Sequence, residues 1–156
     1  MLYACWSPKG GSGTTVVAAA LGVLLARAAP SGALLADLAG DLPTALGLTV
    51  PPTGIGLAVA ASATVSLLVI RPCYLALRRA LEAPLRPSGV VLVAEEGRSL
   101  GRADVEDVLG VPVRAEIRVD PAVARAVDAG LLAGRLPRGL ERALRPALDA
   151  GGSEAA

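Results

Sequence analysis

The sequence predicts a doubly wound α/β fold, a mostly parallel sheet with helices on both faces and a reduced number of strands. Three observations carry that expectation. Short apolar runs of strand length alternate with longer runs of helical length along the chain. Apolar residues make up 53% of it, nearly all Ala, Val and Leu, with no Phe, one Trp and two Tyr. Small aliphatics of this kind suit buried parallel strands under Ala/Leu helices. Finally, 156 residues suffice for one domain that buries roughly two-thirds of its unfolded surface. The domain is read as residues 1–150, with a disordered tail at 151–156.

The elements follow in order. Residues 2–7 read as a short buried strand and 8–13 as a Gly-rich loop. Residues 14–29 form an Ala/Val/Leu run of helical length, stopped by Pro30-Ser31-Gly32. Residues 33–37 are a second run of strand length, and 42–48 hold a turn or two of helix. The Pro/Gly content of 49–56 marks a loop. A strand at 65–70, a helix at 74–83 and a strand at 89–94 come next. After a loop at 95–102, a helix at 103–109 carries Asp104, Glu106 and Asp107 in its first turns, where the dipole favours anions. A last strand at 113–119 precedes Asp120-Pro121, an N-cap followed by proline at the first helical position. That helix runs to Asp128 and is stopped by Gly130. Leu140, Leu144 and Leu148 line a final amphipathic helix disturbed by Pro146.

Composition excludes several kinds of chemistry. With no His in the chain, Ser7, Ser62 and Ser66 have no imidazole base, so serine hydrolysis is not credible. Cys5 and Cys73 fit neither a disulfide framework nor a zinc-site spacing and read as buried small residues in a reducing, cytoplasmic setting. A net charge of +1 gives no bulk attraction to nucleic acid, and no sequence-specific nucleic-acid partner is expected. No apolar run reaches the ~18 uninterrupted residues of a membrane span. The opening segment lacks the basic stretch of a signal peptide.

The chemistry concentrates in Ser7-Pro8-Lys9-Gly10-Gly11-Ser12-Gly13-Thr14-Thr15. Of the 15 basic residues, 14 are arginine, and the one lysine is Lys9, inside this loop. A compact ammonium on a flexible stem suits phosphate. Gly10, Gly11 and Gly13, with Ser12 between them, let successive backbone N–H groups curl around phosphate oxygens while the next helix aims its positive end at them. Thr14 is placed to touch phosphate and the Thr15 hydroxyl to ligate Mg²⁺. The plain alternative is a turn that only reverses the chain. The strand before, the helix after and the lone lysine argue against it.

The segment KGGSGTT resembles the deviant Walker A motif, KGGxGK[ST][ST], of the MinD/ParA family of P-loop ATPases. The likeness extends further: Ala33-Leu34-Leu35-Ala36-Asp37-Leu38 resembles the family's second strand with its switch aspartate. Residues 66–80 resemble the strand and helix after its magnesium-site strand, and residues 108–132 its closing strand and D-P-x-V helix. The GTT variant with DLAGDL is most similar to the CpaE/TadZ-like branch, associated with pilus and Tad-secretion positioning. The resemblance implies a P-loop NTPase-like fold binding ATP or ADP with Mg²⁺, and a homodimer in which Lys9 reaches the partner's nucleotide. It also makes Lys9 and Asp37 the catalytic residues, with Thr15 and Asp37 at the metal.

Three departures bear on hydrolysis. The motif's second lysine is Thr14 here, which should weaken nucleotide affinity and transition-state stabilisation together. The switch motif's second aspartate is replaced by Ala39, with Asp41 two residues further on. From Leu42 to Arg71 there is no acidic residue, so no magnesium-site strand ending in a carboxylate is found; residues 56–63 are a poor substitute strand. Glu95-Glu96 also stand where relatives often place an Asn that recognises the base, so adenine preference is inherited by resemblance only. The expectation is therefore a cytoplasmic nucleotide-binding protein with weak or no hydrolysis, acting in positioning or partner regulation. A pseudo-ATPase scaffold that needs no nucleotide is the alternative. The final helix, with Arg138, Arg142 and Arg145 beside its leucines, mimics a membrane-gripping helix at a peripheral surface. Pro146 and the lack of Phe or Trp favour a helix packed on its own domain.

Overall fold

The computed structural model describes residues 1–36, 41–46 and 63–149. Four strands form one sheet, β1 (Tyr3–Trp6), β2 (Val65–Ile70), β3 (Gly89–Ala94) and β4 (Val113–Arg118). They lie in sequence order and every neighbouring pair is parallel. Among the described residues six helices accompany it: α1 (Thr14–Ala28), α2 (Leu42–Leu46), α3 (Tyr74–Glu82), α4 (Arg102–Leu109), α5 (Pro121–Asp128) and α6 (Arg138–Asp149). The chain is thus an α/β protein with helices on both faces of a parallel sheet.

Side-chain alternation decides which helices cover which face. Leu67 and Val69 of β2, Val91 and Val93 of β3, and Ala115 and Ile117 of β4 point to one face. There they meet Val17, Leu21 and Leu24 of α1 and Leu140, Leu144 and Ala147 of α6. Leu68, Ile70, Val90 and Leu92 point the other way, onto Leu77 and Ala80 of α3 and Val105 and Leu109 of α4. All six residues of β2 are buried, which requires cover on both faces. β4, at the edge, alternates: Val113, Ala115 and Ile117 are buried, while Arg114, Glu116 and Arg118 are exposed. A clip joins α4 to β4, because Glu106 Oε1 accepts from the Val113 amide at 2.8 Å and Arg102 Nη2 donates to the Val113 carbonyl at 2.6 Å.

One expectation changes, and the favoured reading of the final helix holds. The run at 33–37 is not a strand in its described part: residues 33–36 are irregular, and Leu34 is 98% exposed. Leu and Ala without a β-branched neighbour give little strand preference, and Leu35 instead rests against α1 at Gly22. Asp37 and Ala39 lie outside the described residues, as does most of 56–63. The final helix packs on the domain. Leu140 and Leu144 are buried to 2% and 0% exposure, and Tyr3 donates its hydroxyl proton to the Leu148 carbonyl at 2.9 Å. Pro146 is tolerated because the carbonyl it leaves unbonded belongs to Arg142, on the exposed side. Among the described residues no helix is long and apolar enough to cross a membrane.

Candidate functional site

β1 delivers the chain to the carboxyl end of the sheet, and the loop after it leads straight into α1. In doubly wound sheets that end is where ligands sit. Two hydroxyls staple the loop. The oxygens of Ser7 and Ser12 are 2.9 Å apart, and each lies 2.9 Å from the Lys9 carbonyl oxygen, to which each can donate. Ser12 is buried at 5% exposure, so its side chain is a structural staple. Because the peptide group is trans and planar, drawing the Lys9 carbonyl inward turns the Gly10 N–H outward.

Gly11 and Gly13 then take φ of +76° and +88°, a region that side chains with a Cβ rarely adopt. Around Gly10 and Gly11 there is open space where a Cβ would stand. Among the described residues, the amides of Gly10, Gly11 and Gly13 donate to no protein acceptor, while residues 10 and 11 form a turn that brings the Ser12 amide towards the Lys9 carbonyl. The Lys9 amide makes only a long contact, 3.4 Å, to Ser7 Oγ.

Among the described residues, the first turn of α1 contains no acidic side chain. The N-cap of this helix is Gly13, with no side-chain cap. α5 and α4 differ: Asp120 caps the Ala122 amide at 2.7 Å, and Asp104 accepts from the Gly101 amide at 2.7 Å. The first-turn amides of α1 therefore add to those of the loop. The loop and the helix mouth thus present backbone donors, with no acidic side chain in the first turn of α1. Lys9 is exposed, and Thr14 and Thr15 are partly buried in the first turn. For Mg²⁺ the described residues offer the Thr15 hydroxyl, since Asp37 lies outside them. Asp41 is exposed and its carbonyl accepts from the Ala45 amide at 3.2 Å, at the start of α2.

Sequence reasoning missed Ser7 as a shaping residue; its signal was a second hydroxyl, five residues on, at the far side of the same turn. It also missed a charged cluster at the same end of the sheet. Glu95, just after β3, accepts from Arg71 Nη1 at 2.6 Å and from Arg98 Nε and Nη2 at 2.9 and 2.7 Å. The Arg98 hydrogen bond, aided by Arg71, holds the Glu95 carboxyl below the usual glutamate range. Cys5 packs against the core, and burial pushes its thiol up to about 12, so it is no nucleophile at neutral pH. A separate cleft of about 400 Å³ opens at the β4 edge, lined by Arg118, Asp120, Leu140 and Arg142 among others. Three strand spacings, ~14 Å, separate that edge from β1.

The chain matches no protein-family profile, and no curated protein is significantly similar to it.

Proposed function

We propose that this chain is a MinD/ParA-like protein that binds ATP or ADP through residues 9–15 and hydrolyses it weakly or not at all. In this reading it is cytoplasmic, forms a homodimer and acts in subcellular positioning or partner regulation. One observation carries the proposal: among the described residues the amides of Gly10, Gly11 and Gly13 have no protein acceptor, at the mouth of a helix without a side-chain cap, on a loop with two left-handed glycines. The exposed ammonium of Lys9 supplies the cation that a phosphate needs and stands free for a partner's nucleotide. Mg²⁺ would supply charge neutralisation of the phosphates; Thr15, and Asp37 by resemblance, would hold it.

Isothermal titration with ATP and ADP at millimolar Mg²⁺ tests the proposal. Binding by the wild type and its loss in Lys9→Ala are expected. No binding by the intact chain, and no difference in the variant, ends it.

A second reading is favoured by Thr14 in place of the motif's lysine and by the absence of acidic residues from Leu42 to Arg71. In it the fold serves as a pseudo-ATPase scaffold for a protein partner and needs no nucleotide. Phosphate release separates the two in one direction: turnover at ordinary ATPase rates, ~1 s⁻¹ or above, refutes the scaffold.

A further inference from the structure

The loop holds one cation, Lys9, where the resembled motif has two lysines, and the neighbouring strand end holds another cation, Arg71. The registers fix where. Trp6 of β1 pairs with Leu68 of β2, and Ile70 of β2 pairs with Leu92 of β3. Carried one residue past the strand, Arg71 stands level with Val93, one strand spacing away, ~4.8 Å. Val93 is the residue on which the helix mouth rests: a methyl group built on Gly13 would touch its Cγ2 at 3.9 Å.

The face agrees with the level. Leu67, Val69, Val91 and Val93 all point to the α1 side of the sheet. Continuing the alternation puts Arg71 and Glu95 on that same side, consistent with the bond between them. Arg71 is 44% exposed in its side chain and makes one hydrogen bond among the described residues, through Nη1 to Glu95. Its Nε and Nη2 groups have no partner among those residues. Arg98, by contrast, gives both Nε and Nη2 to Glu95.

We propose that Arg71 is the second cation of the loop's phosphate site: it rests on Glu95 and turns its unused N–H groups to the phosphate tail of a bound nucleotide. This rests on the reading that the loop binds nucleotide. Glu95 plays two parts. It orients Arg71 while competing with the ligand for it, and Arg98 keeps that carboxylate occupied when Arg71 turns away. A guanidinium presents two parallel donors to a phosphate, as an ammonium cannot. The device therefore replaces the missing lysine with a group from a different element.

Titrations of ATP, ADP and inorganic tripolyphosphate, each with excess Mg²⁺, test the proposal on wild type, Arg71→Ala, Glu95→Gln and Lys9→Ala. Arg71→Ala should weaken ATP and tripolyphosphate by about tenfold, the scale of one lost charge-assisted bond. Glu95→Gln should tighten both severalfold, because it removes the competitor. A merely structural ion pair would weaken or leave unchanged both variants, so the opposite signs carry the test. If wild type and Arg71→Ala bind alike while Lys9→Ala is weakened, the Arg71 proposal falls and the loop reading stands. If Arg71→Ala weakens ATP but leaves tripolyphosphate unchanged, Arg71 meets the base or sugar and the phosphate claim is overturned. If wild type binds none of the three ligands, the loop reading itself falls and takes this with it. Should Arg71→Ala lose its fold by circular dichroism, the Glu95→Gln sign decides alone.

Discussion

Truncating Leu144 to alanine tests what the final helix is for. Leu144 is fully buried on α6, in the cluster that joins α1, α6 and the central strands. The change removes three carbons, and at about 0.8 kcal/mol each their transfer back to water costs about 2.4 kcal/mol. The remaining hole adds to that, since β4 and α1, on which α6 packs, are each held by their own packing, for a total of about 3–4 kcal/mol. For a domain of this size each kcal/mol lowers Tm by about 2–4 °C, so the melting point should fall by about 10 °C. Thermal and urea unfolding followed by circular dichroism measure it, with an unchanged urea slope as the sign that the folded state is the same. Liposome co-sedimentation of both proteins runs beside it. A loss below about 1 kcal/mol, with a drop in liposome binding, would mean that the leucines face a membrane and that the packing argument is wrong.

The two cysteines should separate under an alkylating reagent at neutral pH. With its thiol near 12, Cys5 holds on the order of one part in 10⁵ of thiolate and should stay unmodified in the folded protein. Both cysteines are partly buried, so the raised Cys5 thiol is what should leave Cys73 as the residue labelled; mass spectrometry showing equal labelling would contradict that shift. Glu95 should titrate below the ordinary glutamate range by carbon NMR, and Arg98→Ala should raise its midpoint more than Arg71→Ala, because the Arg98 hydrogen bond is the larger cause. The sign follows from linkage. A depressed carboxyl pKa stabilises the fold above the ordinary carboxylate range, and that contribution is lost as pH falls through the depressed value. Acid should therefore free both arginines.

Much of the fold was legible because each local signal agreed with the packing around it. The strands at 65–70 and 89–94 are apolar runs bounded by Arg71-Pro72 and Ser88, and they fold with those bounds. Asp120-Pro121 starts α5 as its chemistry requires, with the carboxylate on the Ala122 amide. Residues 33–36 failed as a strand because apolar character alone does not distinguish a strand from a segment lying over a helix. The candidate site divides in the same way. Glycines, a lone lysine and a following helix are local marks, and sequence reads them. The Arg71–Glu95–Arg98 cluster joins three positions on two loops, and nothing in their spacing announces it.

By itself the sequence determined the alternation of elements, the small-aliphatic core and the Gly-rich loop between the first strand and the first helix. These depend on periodicity, residue volume and backbone sterics, all properties of a residue and its near neighbours. Tertiary structure alone decided that Leu140 and Leu144 are buried, that the Ser7 and Ser12 hydroxyls draw the Lys9 carbonyl inward, and that Arg71 stands level with the residue beneath Gly13. Each of these depends on strand register and on which face of the sheet a helix covers. Register is set by the sum of contacts across the sheet, and no short stretch of chain contains it.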